Sequence, residues 1–213
     1  DTYLERDIPR MGPNLPAQAM KRLWTMLSHT SGQQISLSVL GKNLGVSHTT
    51  VRTYLDTLQD FYMLRELKPW SGNIKSRLVK TPKVYVRDSG LLHRLLGISS
   101  IDYLFGHPAV GGSWEGFVVE NIMNHLSSYW HASFFRNSAQ HEIDLVLEKE
   151  NHRWAVEIKL SKAPNVSAGF YKAAVLIEAT RRIVVYSGKD NFQLPNQVEV
   201  MSLSSFIEQL SAA

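Results

Sequence analysis

Three side chains in the last third of the chain have types and spacing that could do chemistry. The segment His141–Lys159, HEIDLVLEKENHRWAVEIK, reads as two β-strands joined by a short turn, with Asp144 on the first and Glu157 and Lys159 on the second. Side chains at i and i+2 of a strand share a face. Glu157 and Lys159 therefore project together, while Ile158 turns toward the core. If the hairpin pairs in register, Asp144 lies beside Glu157, and two carboxylates and an ammonium converge on one sheet edge. Carboxylate oxygens suit a hard divalent cation, Mg²⁺ or Mn²⁺. Asp144 and Glu157 would be its ligands, with the backbone carbonyl of Ile158 as a further one. A lysine beside such an ion can orient an attacking water or stabilise charge on a phosphate. The competing reading is a solvated charge pair of little consequence. The apolar flanks argue against it: Asp144 sits between Ile143 and Leu145, and Glu157 lies within AVEIKL. A charged group in so buried a strand needs a partner.

Other elements must position these strands. GGSWEGFVVENIMNHLSSYW (111–130) carries Trp114, Phe117, Val118, Ile122 and Leu126 near helical spacing and offers Glu115 and Glu120. ASFFR (132–136) reads as a strand. A helical stretch around 167–179 and a strand at 183–187 follow the hairpin. Acid, spacer and E-x-K, in the order α-β-β-β-α-β, resemble the PD-(D/E)XK nuclease core. The small-residue, aromatic, Glu entry of the preceding helix resembles that core's helix and favours Glu115 over Glu120. The resemblance implies metal-dependent phosphodiester hydrolysis with Asp144, Glu157, Lys159 and Glu115 as catalytic residues. Some nucleases of the class carry a Gln in the helix after the lysine; this chain has Tyr171 and Lys172 there.

The N-terminal half follows a different pattern. AQAMKRLWTMLSHT, between Pro16 and Thr30, places Ala19, Leu23, Met26 and Leu27 on one helical face, and Ser31-Gly32 ends it. Ser36 opens a short helix with Leu37, Leu40 and Leu44 inward and Gly45 as its stop. Ser47 then caps HTTVRTYLDTLQDF, whose Val51, Leu55 and Leu58 face a core. That spacing is a helix-turn-helix. YMLRELKPW and KVYVRD (83–88), separated by the basic loop SGNIKSRLVKTPK, resemble the strands of a wing. His48, Thr49, Thr50 and Arg52 near the start of the second helix would reach base edges, and Lys75, Arg77 and Lys80 in the wing loop would suit phosphates. A partner-binding or scaffold role for the same module is the alternative.

The phrases in order resemble the C-terminal portion of a family of bacterial and archaeal AAA-type ATPases. They are YLERDI, LGVSHTTVRTYLDTLQDFYML, TPKVYVRDSGLLHRLLG, GGSWEGFVVENI, FFRNSAQHEIDLVL and AVEIK. The resemblance implies a mixed α+β fold. Residues 1–14 would leave an absent ATPase domain, 15–98 form a winged helix-turn-helix, and 99–213 form a restriction-endonuclease-like αβββαβ domain. No G-x-x-x-x-G-K-S/T motif occurs, so no ATP site is assigned to this chain. The start at DTYLERDIPR, without Met or signal-peptide character, reads as a piece of a longer protein.

Composition bounds these readings. At 213 residues and 44% apolar content the chain can bury one large core or two small ones. It has no cysteine, which excludes disulfides and Cys-based zinc and fits a cytoplasmic protein. No apolar run approaches the length of a bilayer span, so no membrane partner is expected. The net charge of +4 is unevenly spread: residues 1–95 hold 14 Lys/Arg against 7 Asp/Glu, and residues 96–213 hold 9 against 12. A basic half joined to an acidic site suits a polyanion, DNA being favoured. The eight histidines show no zinc-enzyme spacing. Arg136-Asn137 before the hairpin could meet a phosphate, or Arg136 could pair with Glu142. Trp70, beside the basic loop, could stack on bases. A catalytically inactive nucleic-acid-binding or regulatory module is the second functional expectation.

Overall fold

A computed structural model describes residues 16–74 and 77–213, which form eight helices and two sheets and divide into two compact units. The first comprises residues up to Glu66 together with Pro82–Gly116; the second comprises Leu67–Thr81 and Phe117–Ala213. Among the described residues no helix is long and apolar enough to cross a membrane.

In the first unit, helix α1 (Ala17–His29) buries Met20, Leu23, Trp24 and Leu27 along one stripe. A two-residue strand β1 (Gln33–Gln34) leads to α2 (Leu37–Leu44) and α3 (His48–Asp60). The turn between them depends on two glycines. Gly45 ends α2 at a φ of 71°, in the left-handed region that a side chain resists. A Cβ on Gly41 would stand 2.7 Å from the Val46 carbonyl oxygen, so only glycine lets the turn fold back on its helix. Ser47 caps α3 by accepting the Thr50 N–H at 3.1 Å. Strands β2 (Leu64–Leu67) and β3 (Lys83–Val86) complete a three-stranded sheet in the order β1-β3-β2. Val51, Leu55 and Leu58 of α3 join Leu23, Trp24, Val84 and Val86 in one core. Short helices α4 (Ser89–Leu95) and α5 (Ile101–Phe105) follow, and α6 (Val110–His125) runs on into the second unit.

The second unit is a six-stranded mixed sheet. After α6 come β4 (His131–Arg136), β5 (Glu142–Lys149), β6 (His152–Lys159), α7 (Ala168–Leu176) and β7 (Arg181–Tyr186), the expected order of helix, three strands, helix and strand. Three further elements extend it: β8 (Phe192–Leu194), β9 (Val198–Ser202) and α8 (Leu203–Ala212). The strand order is β4-β5-β6-β7-β9-β8. Strands β4 to β6 pair antiparallel, and β6-β7-β9 pair parallel. Phe170, Ala173, Ala174 and Ile177 from the α7 region bury Val146, Ala155, Val184 and Val200 on one face. On the other face Trp154 meets Trp130 and Phe206 at ring-centroid distances of 4.7 and 6.1 Å.

The division differs from the expected boundary at residue 98 in two places. Residues 99–116 belong with the first unit, and residues 67–81, which hold most of the basic loop expected to form a wing (71–83) and the end of the strand expected before it, belong with the second. Backbone hydrogen bonds explain the second difference. The Trp70 N–H donates to Phe134 O, Phe134 N–H to Lys68 O, Val79 N–H to Arg136 O and Ser138 N–H to Arg77 O. Residues 68–70 and 77–79 thus lie along the outer edge of β4. An edge strand's unpaired groups are costly to leave bare, and this loop satisfies them.

Candidate functional site

The ladder between β5 and β6 runs from Lys149↔His152 to Leu145↔Val156. One step further along that register, Asp144 stands opposite Glu157. Here the main-chain ladder gives way to a side chain: Asp144 Oδ2 accepts the Ile158 N–H at 2.9 Å. On its other side β6 stays paired with β7 through Glu157↔Val184 and Lys159↔Tyr186. The alternation that carries Val146 and Ala155 into the core under α7 therefore also carries Asp144, Glu157 and Lys159 onto that face, at the C-terminal end of β6. A strand's carboxyl end, where pairing switches from antiparallel to parallel, is a recurrent place for ligands.

Glu157 is 6% exposed. Burial, and then the negative charge of Asp144, push its carboxyl up to about 8; Lys159 opposes this and Glu142 adds to it. The Lys159 ammonium lies 2.7 Å from Glu157 Oε1. Glu142 itself pairs with Arg136 at 3.7 Å. Two neighbouring acids, one with its proton affinity raised by burial and repulsion, thus share a single adjacent ammonium. Their oxygens, with the Ile158 carbonyl, are hard donors that fit Mg²⁺ or Mn²⁺, a cation commonly held by one or two carboxylates while keeping several waters. Among the described residues no group of three or more His, Asp or Glu is arranged to hold a metal, so the donor set here is a pair of acids.

Each remaining expected site residue has its own surroundings. Glu115 belongs to the first unit, where its Oε1 accepts from Lys83 Nζ at 3.0 Å and from the Tyr85 hydroxyl at 2.7 Å. Lys83 is 3% exposed, and Glu115 compensates its charge. The carboxylate expected as the third acid is thus engaged by two donors of β3. On α3, His48 and Thr49 are exposed and Thr50 is half-buried. The Thr49 and Thr50 hydroxyls lie within 2.6 and 2.8 Å of the Ser47 hydroxyl. Arg52 is engaged within its own unit: it donates to both Glu66 oxygens at 3.0 and 3.1 Å and to Asp56 at 2.9 Å. Burial opposes its charge, but the two carboxylates more than offset that and hold its pKa above the ordinary value. Lys75 lies outside the described residues. Arg77 and Lys80 are exposed on the loop that joins the second unit.

Trp70 is not an exposed stacking platform. It is 6% exposed, packs with Phe135, lies under Arg153 and donates its indole N–H to Glu148 at 3.1 Å. Arg136, expected to meet a phosphate or Glu142, pairs with Glu142 and donates to Gln140. Tyr171 donates to the Pro195 carbonyl at 3.5 Å, and Lys172 is exposed. Asn137 is buried and turned inward rather than toward a phosphate. Its Oδ1 accepts the Ala139 and His141 N–H groups, which fixes the turn that delivers Asp144. Sequence reasoning missed this positioning role. An Asn opening a short polar run between two strands is the signal that could have found it.

Comparison with known proteins adds relatives but no activity. Residues 1–102 match the family model "Domain of unknown function (DUF8612)" and residues 110–206 match "Domain of unknown function (DUF4143)". Uncharacterized protein Mb2031c of Mycobacterium bovis and Uncharacterized protein Rv2008c of Mycobacterium tuberculosis are each 41% identical to the chain over 201 residues. The match covers 92% of this chain and 44% of each relative. The chain therefore spans less than half the length of the curated relatives it matches. No solved structure matches it. The two halves of the chain are each similar to a domain of unknown function, and the boundary between the two matches falls between residues 102 and 110.

Proposed function

We propose that the second unit is a PD-(D/E)XK-type phosphodiesterase domain acting on nucleic acid with Mg²⁺ or Mn²⁺. The observation that carries this reading is the convergence of Asp144, buried Glu157 and Lys159 at one strand end, with Lys159 2.7 Å from Glu157. Asp144 and Glu157 would hold the cation, with the Ile158 carbonyl as a further donor. When bound, such an ion supplies charge stabilisation at a phosphoryl oxygen. Lys159 orients the attacking water or meets developing negative charge, and its proximity to Glu157 fixes it at the place where that charge would form.

The first unit is proposed as a winged helix-turn-helix. In its support stand the order helix, strand, helix, helix, strand, strand, the Gly45 turn and the Ser47 cap. Its exposed His48 and Thr49 remain the proposed base-contacting end of α3. The whole is read as the C-terminal part of a cytoplasmic AAA-type ATPase. The sequence resemblance supports this, and the uncovered length of the relatives leaves room for a P-loop domain.

The test is cleavage of plasmid and single-stranded DNA with Mg²⁺ or Mn²⁺, comparing wild type with Asp144→Ala and Lys159→Ala. The expected result is metal-dependent nicking that falls at least 100-fold in both variants. Equal activity in all three proteins would assign the cleavage to a contaminant or another site. One observation favours a second reading, a non-catalytic binding module: the Lys159 ammonium sits on Glu157 Oε1 and compensates an oxygen that a cation would need. DNA affinity that survives Asp144→Ala, with no cleavage by wild type, would establish that reading instead.

A further inference from the structure

We infer that the edge segment 77–80 is a phosphate-holding track that binds the backbone of a nucleic-acid strand leading to the Asp144–Glu157–Lys159 cluster. The inference rests on the phosphodiesterase reading for its direction, but it concerns binding. The segment is hydrogen-bonded to β4 at Arg136 and to the turn beyond it at Ser138. It is therefore tied to the edge of the second unit's sheet beside β4. Its Arg77 and Lys80 are exposed and flank an open hollow of about 670 Å³ that Leu78, Val79 and Ser138 also line.

Three strand-borne arginines of the unit are neutralised by acids, whereas these two cations are not; Arg182 of β7 donates to the Asn196 carbonyl instead. Arg136 pairs with Glu142, Arg153 with Glu148 and Arg181 with Glu199. Among the described residues Arg77 and Lys80 have no carboxylate partner. A guanidinium and an ammonium lining one hollow on a hydrogen-bonded edge, with no acid to neutralise them, are the donors that recognise phosphate oxygens.

The register sets their distance from the acids. From the 77–80 edge the sheet order runs β4, β5, β6, and Arg136 of β4 pairs with Glu142, two residues before Asp144. At about 4.8 Å per strand, the edge lies about 10 Å from β5 and about 14 Å from β6. A stacked strand carries one phosphate per 3.4 Å or so. The track thus engages phosphates roughly three to four nucleotides from the cluster, and a substrate must be at least that long to reach both. A mononucleotide or a dinucleotide cannot.

The experiment uses the full chain with EDTA present, so that binding is read without cleavage. Fluorescence anisotropy of a labelled 12-nucleotide oligothymidylate is followed against salt for wild type, Arg77→Ala/Lys80→Ala, and a control pair of cations away from the edge, Arg182→Ala/Lys189→Ala. The double edge variant is expected to bind at least tenfold more weakly at low salt. Its salt slope should be smaller by about 1.4, the release of two counterions from a single strand. The control pair should match wild type, and a labelled dinucleotide should bind all three proteins equally poorly. An edge variant with wild-type affinity and slope overturns the track, as does a control pair that loses as much. Absence of cleavage by wild type, with the edge effect intact, would remove the hydrolytic reading and leave the track standing.

Discussion

The Glu157 carboxyl titrates at about 8 in the folded chain, against about 4.3 for an unperturbed glutamate. A raised acid keeps its proton in the folded state while the unfolded chain has lost it. Its stabilising effect is complete below the unfolded pKa, declines from about pH 4.5 and is gone above about pH 8. A tenfold change in proton affinity is worth about 1.4 kcal/mol, so the decline amounts to about 5 kcal/mol at most. Glu157→Gln should flatten the stability profile over this window and raise Tm at pH 8.5, as followed by thermal melts between pH 5 and 9. A variant with the same downward slope as wild type would place the titration elsewhere. Divalent metal should reverse the trend, since it competes with the proton. Mn²⁺ should raise Tm more at pH 8 than at pH 6. The pair Asp144 and Glu157 was legible in the sequence because a period of two fixes which side chains share a face. The partners of Glu115 were not, because Lys83 and Tyr85 lie on a strand some 30 residues upstream and no local pattern links them.

Among the secondary-structure elements, β3 and α6 are joined by Lys83, Tyr85 and Glu115. Removing the carboxylate leaves a nearly inaccessible ammonium without that partner. Glu115→Ala should therefore cost about 3–5 kcal/mol, and Lys83→Met in the same chain should recover most of it. Chemical denaturation of the single and double variants reads this, and additive losses would refute the pairing. Helix α3 provides a smaller test: Ser47→Ala removes the acceptor of the Thr50 N–H and should cost about 1 kcal/mol. Caps and stops such as Ser47 and Gly45 are written locally, which is why α2 and α3 could be placed within a residue or two from the sequence. Residues 68–70 and 77–79 of the edge segment are held by main-chain hydrogen bonds beside β4, and main-chain groups are the same in every residue. The segment's basic composition read as a wing for that reason, and Trp70 read as exposed.

Taken entire, the chain interleaves its two units in sequence. The second takes Leu67–Thr81 from between two strands of the first. A fragment beginning at residue 99 would lack Trp70, which packs on Phe135 and donates to Glu148. Such a fragment should bind hydrophobic dye and melt without cooperativity, whereas the full chain should not. Trp70→Ala in the full chain should cost about 3–5 kcal/mol. A fragment 99–213 that unfolds as cooperatively as the full chain would show the segment to be dispensable.

Whether Asp144 and Glu157 together form a cation site is decided by calorimetric titration of the full chain with Mn²⁺ at pH 7, in two buffers of different ionisation enthalpy. One site is expected, with release of close to one proton per ion as Glu157 gives up its hydrogen, and with both the heat and the proton release lost in Asp144→Ala. No binding at millimolar Mn²⁺, or binding without proton release that persists in Asp144→Ala, would rule that site out.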